Sequence, residues 1–318
     1  MMDWYSFLPQ DTLFFRGAEP AVMGESHTAS PIFPPPAQTL AGALRTAVLL
    51  QHGIEPRSYN EGRILPQQVA AVSAIGPSGT PSPFNVIGPF FLQQGRFWVP
   101  CPYCWFTPKD DGPPPASSMY NVTVGRPVAN RLIVSKSGDR LYWAKGNNLN
   151  SLGGRWVPLE ELYGQEPKKT IKKTGDFFVS EIRTGIALDV KASRRSVRDG
   201  HLYAFVHARL LEGVELAFGT TQSLPLAESG VLKLGAEQRF GAYRRVAGPR
   251  WGCGASDLFM TLSLLEAGDE ANRHCVATGR ILYYGGWDLH RRFHKPMKGY
   301  FPPGSVFDKQ VNDNCIAL

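Results

Sequence analysis

An α+β fold is predicted by three observations. Residues 4–15, WYSFLPQDTLFF, are aromatic and apolar enough for a strand, despite Pro9. Residues 37–52 repeat Leu40, Leu44 and Val48 at every fourth position, behind three prolines and ahead of Gly53, as an amphipathic helix would. Residues 69–75, 84–92 and 96–99 then read as strands, the last two forming a hairpin about Gln93-Gln94-Gly95. Strand, helix and strands in that order suggest a small α+β sandwich of the ferredoxin type.

With 318 residues the chain has material for one large or two medium domains, and 43% apolar against 19% charged residues is the composition of a folded globular protein. The net charge of +7 is modest, but it is clustered. Four acid-free stretches, 168–173, 191–198, 239–250 and 290–298, hold nearly half of the 34 lysines and arginines, a pattern that fits a phosphate backbone. Neither a secretory leader nor a membrane span is expected, since no basic region precedes an apolar one at the start and Arg45 interrupts the most apolar helical run. Five scattered cysteines point to reduced thiols in the cytoplasm. Cys101-Pro-Tyr-Cys104 has the spacing of a metal knuckle, but a closed zinc site needs four ligands and no second pair follows, so no metal or other cofactor is expected.

The predicted helix has a second stripe, Thr39, Gly42, Arg45 and Thr46, that is small and polar with one cation. Backbone could be approached closely there, and free amide hydrogens at the helix start favour a phosphate. A glycine packing against a sheet and an arginine in solvent would leave the same stripe. Beyond Trp105 the character changes: 110–115 reads as a linker, and 131–135 with 140–144 as a hairpin around Ser137-Gly138-Asp139. Residues 105–182 therefore read as an inserted arm ending in the basic run 168–173, between units 1–104 and 183–318.

Within the last unit, 183–220 reads as a loop followed by a hairpin, with strands 202–211 and 214–218 joined at Glu212-Gly213. Ahead of those strands stand Lys191, Arg194, Arg195 and Arg198 with no acid among them, so that loop needs solvent or a polyanion to screen it. Tyr203, Phe205, His207 and Arg209 share one strand face and read as core, although Tyr203-Ala204-Phe205-Val206 matches half of a base-stacking motif. Residues 258–265 fit strand or helix, and 281–284 a strand running into Gly285-Gly286.

Gly24-Glu25, PPPAQTLAGALRT at 34–46, RTGIALD at 183–189, GHLYAF at 200–205, LGAEQRF at 234–240, GGWDL, KPM and PPGSVF recur along the chain in an order that resembles the third Cmr subunit of type III-B CRISPR effector complexes, a RAMP-superfamily family. One departure is Ala236, where the family usually has a second glycine. The resemblance implies two ferredoxin-like halves packed together with an inserted β-hairpin arm. It implies binding of the 5′ repeat-derived tag of guide RNA, and contact with the large polymerase-like subunit and the backbone RAMP subunit. Carried over by position, Thr39, Arg45, Arg183, Thr184, Arg194, Arg195, Gly285 and Gly286 would line the tag groove. Gly24 and His27 ahead of the helix, Gly42 on it, and Lys191, Arg239, Lys295 and Lys298 from the acid-free stretches complete the RNA-facing candidates. Glycines would admit the RNA backbone and arginines fork onto phosphates.

No nucleotide-binding, serine-hydrolase or zinc-protease motif occurs, and no catalytic residue is expected. The alternative is a metal-independent guide-RNA endoribonuclease, because some RAMP relatives cut repeat RNA through the 2′-hydroxyl. His27 is the histidine placed for that chemistry. A scaffold that binds only protein is a third reading.

Overall fold

Seven strands, neighbours antiparallel throughout, make the central sheet in the order Trp156–Pro158, Arg96–Pro100, Val86–Gln93, Val214–Thr220, Asp3–Pro9, Phe240–Val246 and Ser229–Lys233. The computed structural model describes residues 2–15, 28–29, 32–109, 119–128, 141–144, 148–189, 196–252, 257–288 and 293–318. Register places Tyr5, Phe7, Phe91, Leu216, Phe218 and Tyr243 on one face of the sheet, and all six are buried. The helix Ala37–Gln51 lies against that sheet with Leu40, Leu44 and Val48 fully buried, as the four-residue repeat requires. Each such side chain contributes about 1.5–3 kcal/mol on leaving water. Past the helix, Gly53 takes φ +62 and the Ile54 amide returns to the Leu49 carbonyl at 2.8 Å, which ends the helix where the sequence predicts.

The first hairpin also forms as predicted. Gln93 faces Arg96 across Gln94 and Gly95, whose φ values of 52 and 76 give the mirror-image turn that suits twisted strands. Residues 69–75, by contrast, are a helix, Val69–Ile75, and not a strand. Ala71 and Ile75, four apart, are buried while Val69 is exposed, a one-sided pattern that a run of seven apolar and small residues does not reveal.

Strands 202–211 and 214–218 do not pair, and this corrects the expected hairpin. Ser196–Leu210 pairs with Phe178–Asp189, from Leu210 opposite Phe178 to Ser196 opposite Asp189, so Arg183 lies on a strand and not in a loop. Val214–Thr220 instead inserts between Asp3–Pro9 and Val86–Gln93. The Gly213 turn, φ +74, passes the chain from one sheet to the other. Local turn chemistry is satisfied either way; burial of Leu216 and Phe218 in the central sheet decides the partner. Phe259–Thr261 and Leu265–Glu266 are strands, which settles the ambiguity at 258–265.

The expected divisions at 104 and 182 do not separate units. Strand Asp3–Pro9 has both its neighbours in the last third of the chain, so residues 1–104 cannot close their sheet alone. Nor are residues 105–182 an appendage. Trp156–Pro158 is the edge strand of the central sheet, and Leu152, Leu159, Leu162, Ile171 and Phe177 are buried in the main core. Two of the four lysines of the basic run are tied down, while Lys168 and Lys173 are exposed. The Lys169 ammonium donates to the Glu161 and Gly164 carbonyls at 2.7 Å and sits over the Trp105 ring, while Lys172 lies 4.6 Å above Trp98. Of the expected arm hairpin, Leu141–Trp143 pairs with Arg126–Val128, and 129–140 lies outside the described residues.

Among the described residues no helix is long and apolar enough to cross a membrane. Cys101 and Cys104 are both buried, and burial pushes both thiols up, that of Cys104 to about 12.

Candidate nucleic-acid interface

The long helix begins after Pro36 with no side-chain cap and no acidic residue in its first turn. Its Thr39 hydroxyl lies 3.0 Å from the Tyr284 hydroxyl. Tyr284 ends the strand Leu282–Tyr284, which pairs antiparallel with Lys298–Phe301, Tyr284 facing Lys298. One hydroxyl contact thus sets the helix start beside Gly285-Gly286 and the segment carrying Lys295 and Lys298. Five of the predicted residues, 245 positions apart in sequence at the Thr39–Tyr284 link, are thereby brought together.

The two glycines have structural causes of their own. Gly286 takes φ +74, and its carbonyl accepts the Lys295 amide at 3.1 Å. A side chain on Gly285 would stand 2.7 Å from the Lys295 carbonyl, so the close approach there is made by the chain's own backbone. Gly42 is different: it is exposed in mid-helix, and an added Cβ would meet nothing within 4 Å. No packing among the described residues accounts for a glycine at that position. Lys298 is paired with Glu266 at 2.7 Å; Lys295 is exposed with no ion-pair partner among the described residues.

Arg45 sits on the same helix, but its guanidinium is occupied. It donates to the carbonyls of Pro77 at 2.7 Å and Thr80 at 3.0 Å and also meets the Tyr59 hydroxyl, fastening the helix to the 76–80 turn. Arg45 is therefore neither the solvent arginine nor the free phosphate fork that its place in the stripe suggests.

Arg183 and Thr184 were grouped by sequence and are split by the strand. Side chains alternate along residues 181–186 of that strand: Arg183 shares a half-buried face with Glu181, and Thr184 is exposed on the opposite face with Ile182 and Ile186. On the half-buried side, Asp11 gathers three guanidiniums. Arg183 Nη2 and Arg239 Nη1 reach Oδ2 at 3.0 and 2.9 Å, and Arg209 Nη2 reaches Oδ1 at 2.9 Å. Glu181 accepts from Nε and Nη2 of Arg183 and from Nε of Arg209, and Glu237 accepts from Nη2 of Arg239. Partial burial alone would raise the Asp11 pKa; the hydrogen bonds from Arg183 and Arg209 outweigh it and hold the carboxyl at about 2. Beside this network His207 is buried, its Nδ1 3.0 Å from the Thr12 hydroxyl and its ring stacked 5.1 Å from Phe14; burial, and then Arg239, lower its pKa. Phe205 likewise lies 4.7 Å from Phe14, so Phe205 and His207 both pack on a ring of their own chain.

Gly24, His27, Lys191, Arg194 and Arg195 lie outside the described residues. Asp11, Arg209 and Tyr284 were missed by sequence reasoning. For Arg209 a signal existed, since alternation puts it on the face of His207, directly across from the strand that carries Arg183. At Ala236 the amide donates to the Phe14 carbonyl at 2.8 Å, so here too the close backbone neighbour is internal.

The family model of the CRISPR-associated protein Cas_Cmr3 matches residues 5–260. A chain of the type III-B Cmr-beta complex bound to cognate target RNA and AMPPnP, solved by cryo-EM, is similar over 96% of this chain and 86% of its own, with 14% identity and a TM-score of 0.55. A chain of the same complex bound to cognate target RNA aligns over the same shares at 15% identity and a TM-score of 0.55. Likeness at that identity speaks for the fold, a strand-rich α/β arrangement. No curated protein matches the chain. The match over residues 5–260 covers most of the sequence, and the chain accordingly belongs to the Cmr3 family, the third Cmr subunit of type III-B CRISPR effector complexes.

Proposed function

We propose that the chain holds the 5′ repeat-derived tag of the guide RNA within the effector complex, docks the large polymerase-like subunit and the backbone subunit, and does no chemistry on the RNA. The observation that carries this reading is the juxtaposition at the start of the long helix: an uncapped, acid-free first turn, the open surface over Gly42, and exposed Lys295 next to Gly286. Amide hydrogens and the helix dipole attract a phosphate, the glycine admits backbone, and the lysine adds a point charge. Arg194 and Arg195 remain part of the reading as the acid-free run connecting the two long strands. Two ferredoxin-like halves also belong to it: the strand, helix and hairpin of residues 3–100 supply most of one, completed in the sheet by Val214–Thr220.

Gly42→Ala tests this surface because its two effects have opposite signs. Alanine in an exposed helix interior should stabilise the fold by up to about 1 kcal/mol, read by urea unfolding. The same methyl group should weaken binding of tag-bearing guide RNA several-fold. Stabilisation with unchanged affinity would place the RNA elsewhere.

A further inference from the structure

We infer that the three arginines around Asp11 form a phosphate site for single-stranded RNA, which the chain's own carboxylate occupies until RNA displaces it. Three guanidiniums from three separate segments converge on one carboxylate at 2.9–3.0 Å, which is how a phosphate group is held by arginine forks. The donors keep their places without Asp11. Arg183 Nε and Arg209 Nε are bound by Glu181 at 3.0 and 2.8 Å, and Arg239 Nη2 by Glu237 at 3.2 Å, so the cage is pre-organised by its outer acids. It is open to solvent on one side, where the side chains of Asp11, Arg183 and Arg209 are 40%, 33% and 44% exposed, while Arg239, at 19%, lies deeper.

Exchange would need only a side-chain rotation. The backbone around Asp11 is fixed by the Gln10 amide on the Phe240 carbonyl at 3.0 Å and the Leu13 amide on the Ala208 carbonyl at 2.8 Å. Three arginines face the three acids Asp11, Glu181 and Glu237, so the cluster is balanced as it stands and would not announce itself as a basic patch. Removing the charge of Asp11 leaves one cation uncompensated at the centre of the cage. The inference rests on the RNA-binding reading for the source of the phosphate and not for the cage itself.

The test uses the full chain, wild type and Asp11→Asn, melted in inorganic phosphate and in chloride at equal ionic strength, together with binding of single-stranded RNA. Phosphate should raise the melting temperature of Asp11→Asn by about 3 °C or more over chloride and that of the wild type much less. Asp11→Asn should bind RNA about tenfold tighter, and adding Arg209→Gln should remove both gains. In the wild-type background Arg209→Gln should lower RNA affinity about threefold, a reading that stands even if Asp11→Asn folds poorly. The absence of a phosphate-specific shift would overturn the site and leave a structural ion network. A phosphate shift with unchanged RNA affinity would overturn its assignment to RNA. Failure of the tag-binding reading would show separately, as indifference of the wild-type chain to tag sequence.

Discussion

Phe177→Ala should lower the stability of the protein by about 3–5 kcal/mol, read as a shift in the urea midpoint at constant slope. Phe177 is fully buried and stacks on Phe91 with centroids 4.2 Å apart and planes 7° from parallel. Trp98 and Trp156 close on it edge-on, and Lys172 caps the ring at 5.3 Å. Truncation removes the shared partner of three aromatics and leaves a cavity that rigid neighbouring rings fill poorly. The residue lies in the stretch that sequence reading assigns to an appended arm, so the size of the loss has a structural meaning. A change below about 1 kcal/mol would mean that residues 148–182 decorate the core rather than complete it.

A second large effect is expected where two central strands touch. Gly241 pairs with Pro9, and an alanine Cβ there would collide with the Leu8 carbonyl, stand 2.6 Å from Pro9 Cα and 2.7 Å from Phe7 Cζ. Two of those neighbours are main chain inside the sheet, which cannot yield as the end of a flexible side chain can. Gly241→Ala should therefore cost about 3 kcal/mol, at the upper end for overpacking, and lower the melting temperature accordingly. Substitution of Gly42, with open space around it, should do the reverse, and the pair measured side by side separates a glycine demanded by packing from one that is not.

Local features of this fold were legible and long-range ones were not. The helix at 37–51 and the hairpin turning at Gln94-Gly95 announce themselves because their causes, a four-residue apolar repeat and a two-residue turn, lie within a few positions. Glu212-Gly213 carries an equally good turn signal, yet its flanking strands take partners up to about two hundred residues away, and nothing local encodes that choice. Much the same holds for the site. Thr39, Gly285, Gly286, Lys295 and Lys298 were named from sequence and do meet, linked through Tyr284. Arg183 and Arg239 were named as cations without their counter-ion, because Asp11 lies 172 residues from the first and 228 from the second. A basic residue is legible in a sequence; the acid that neutralises it across the fold is not.

The central claim, a non-catalytic tag-binding subunit, is tested most directly by binding of the full chain to guide RNA bearing its natural 5′ tag, against the same RNA with the tag scrambled, at two salt concentrations. Preference for the true tag at both, with the RNA recovered intact, is the expected result. Equal and strongly salt-sensitive binding of the two RNAs would contradict it and leave only a basic surface, and cleaved RNA would contradict it in favour of an endoribonuclease.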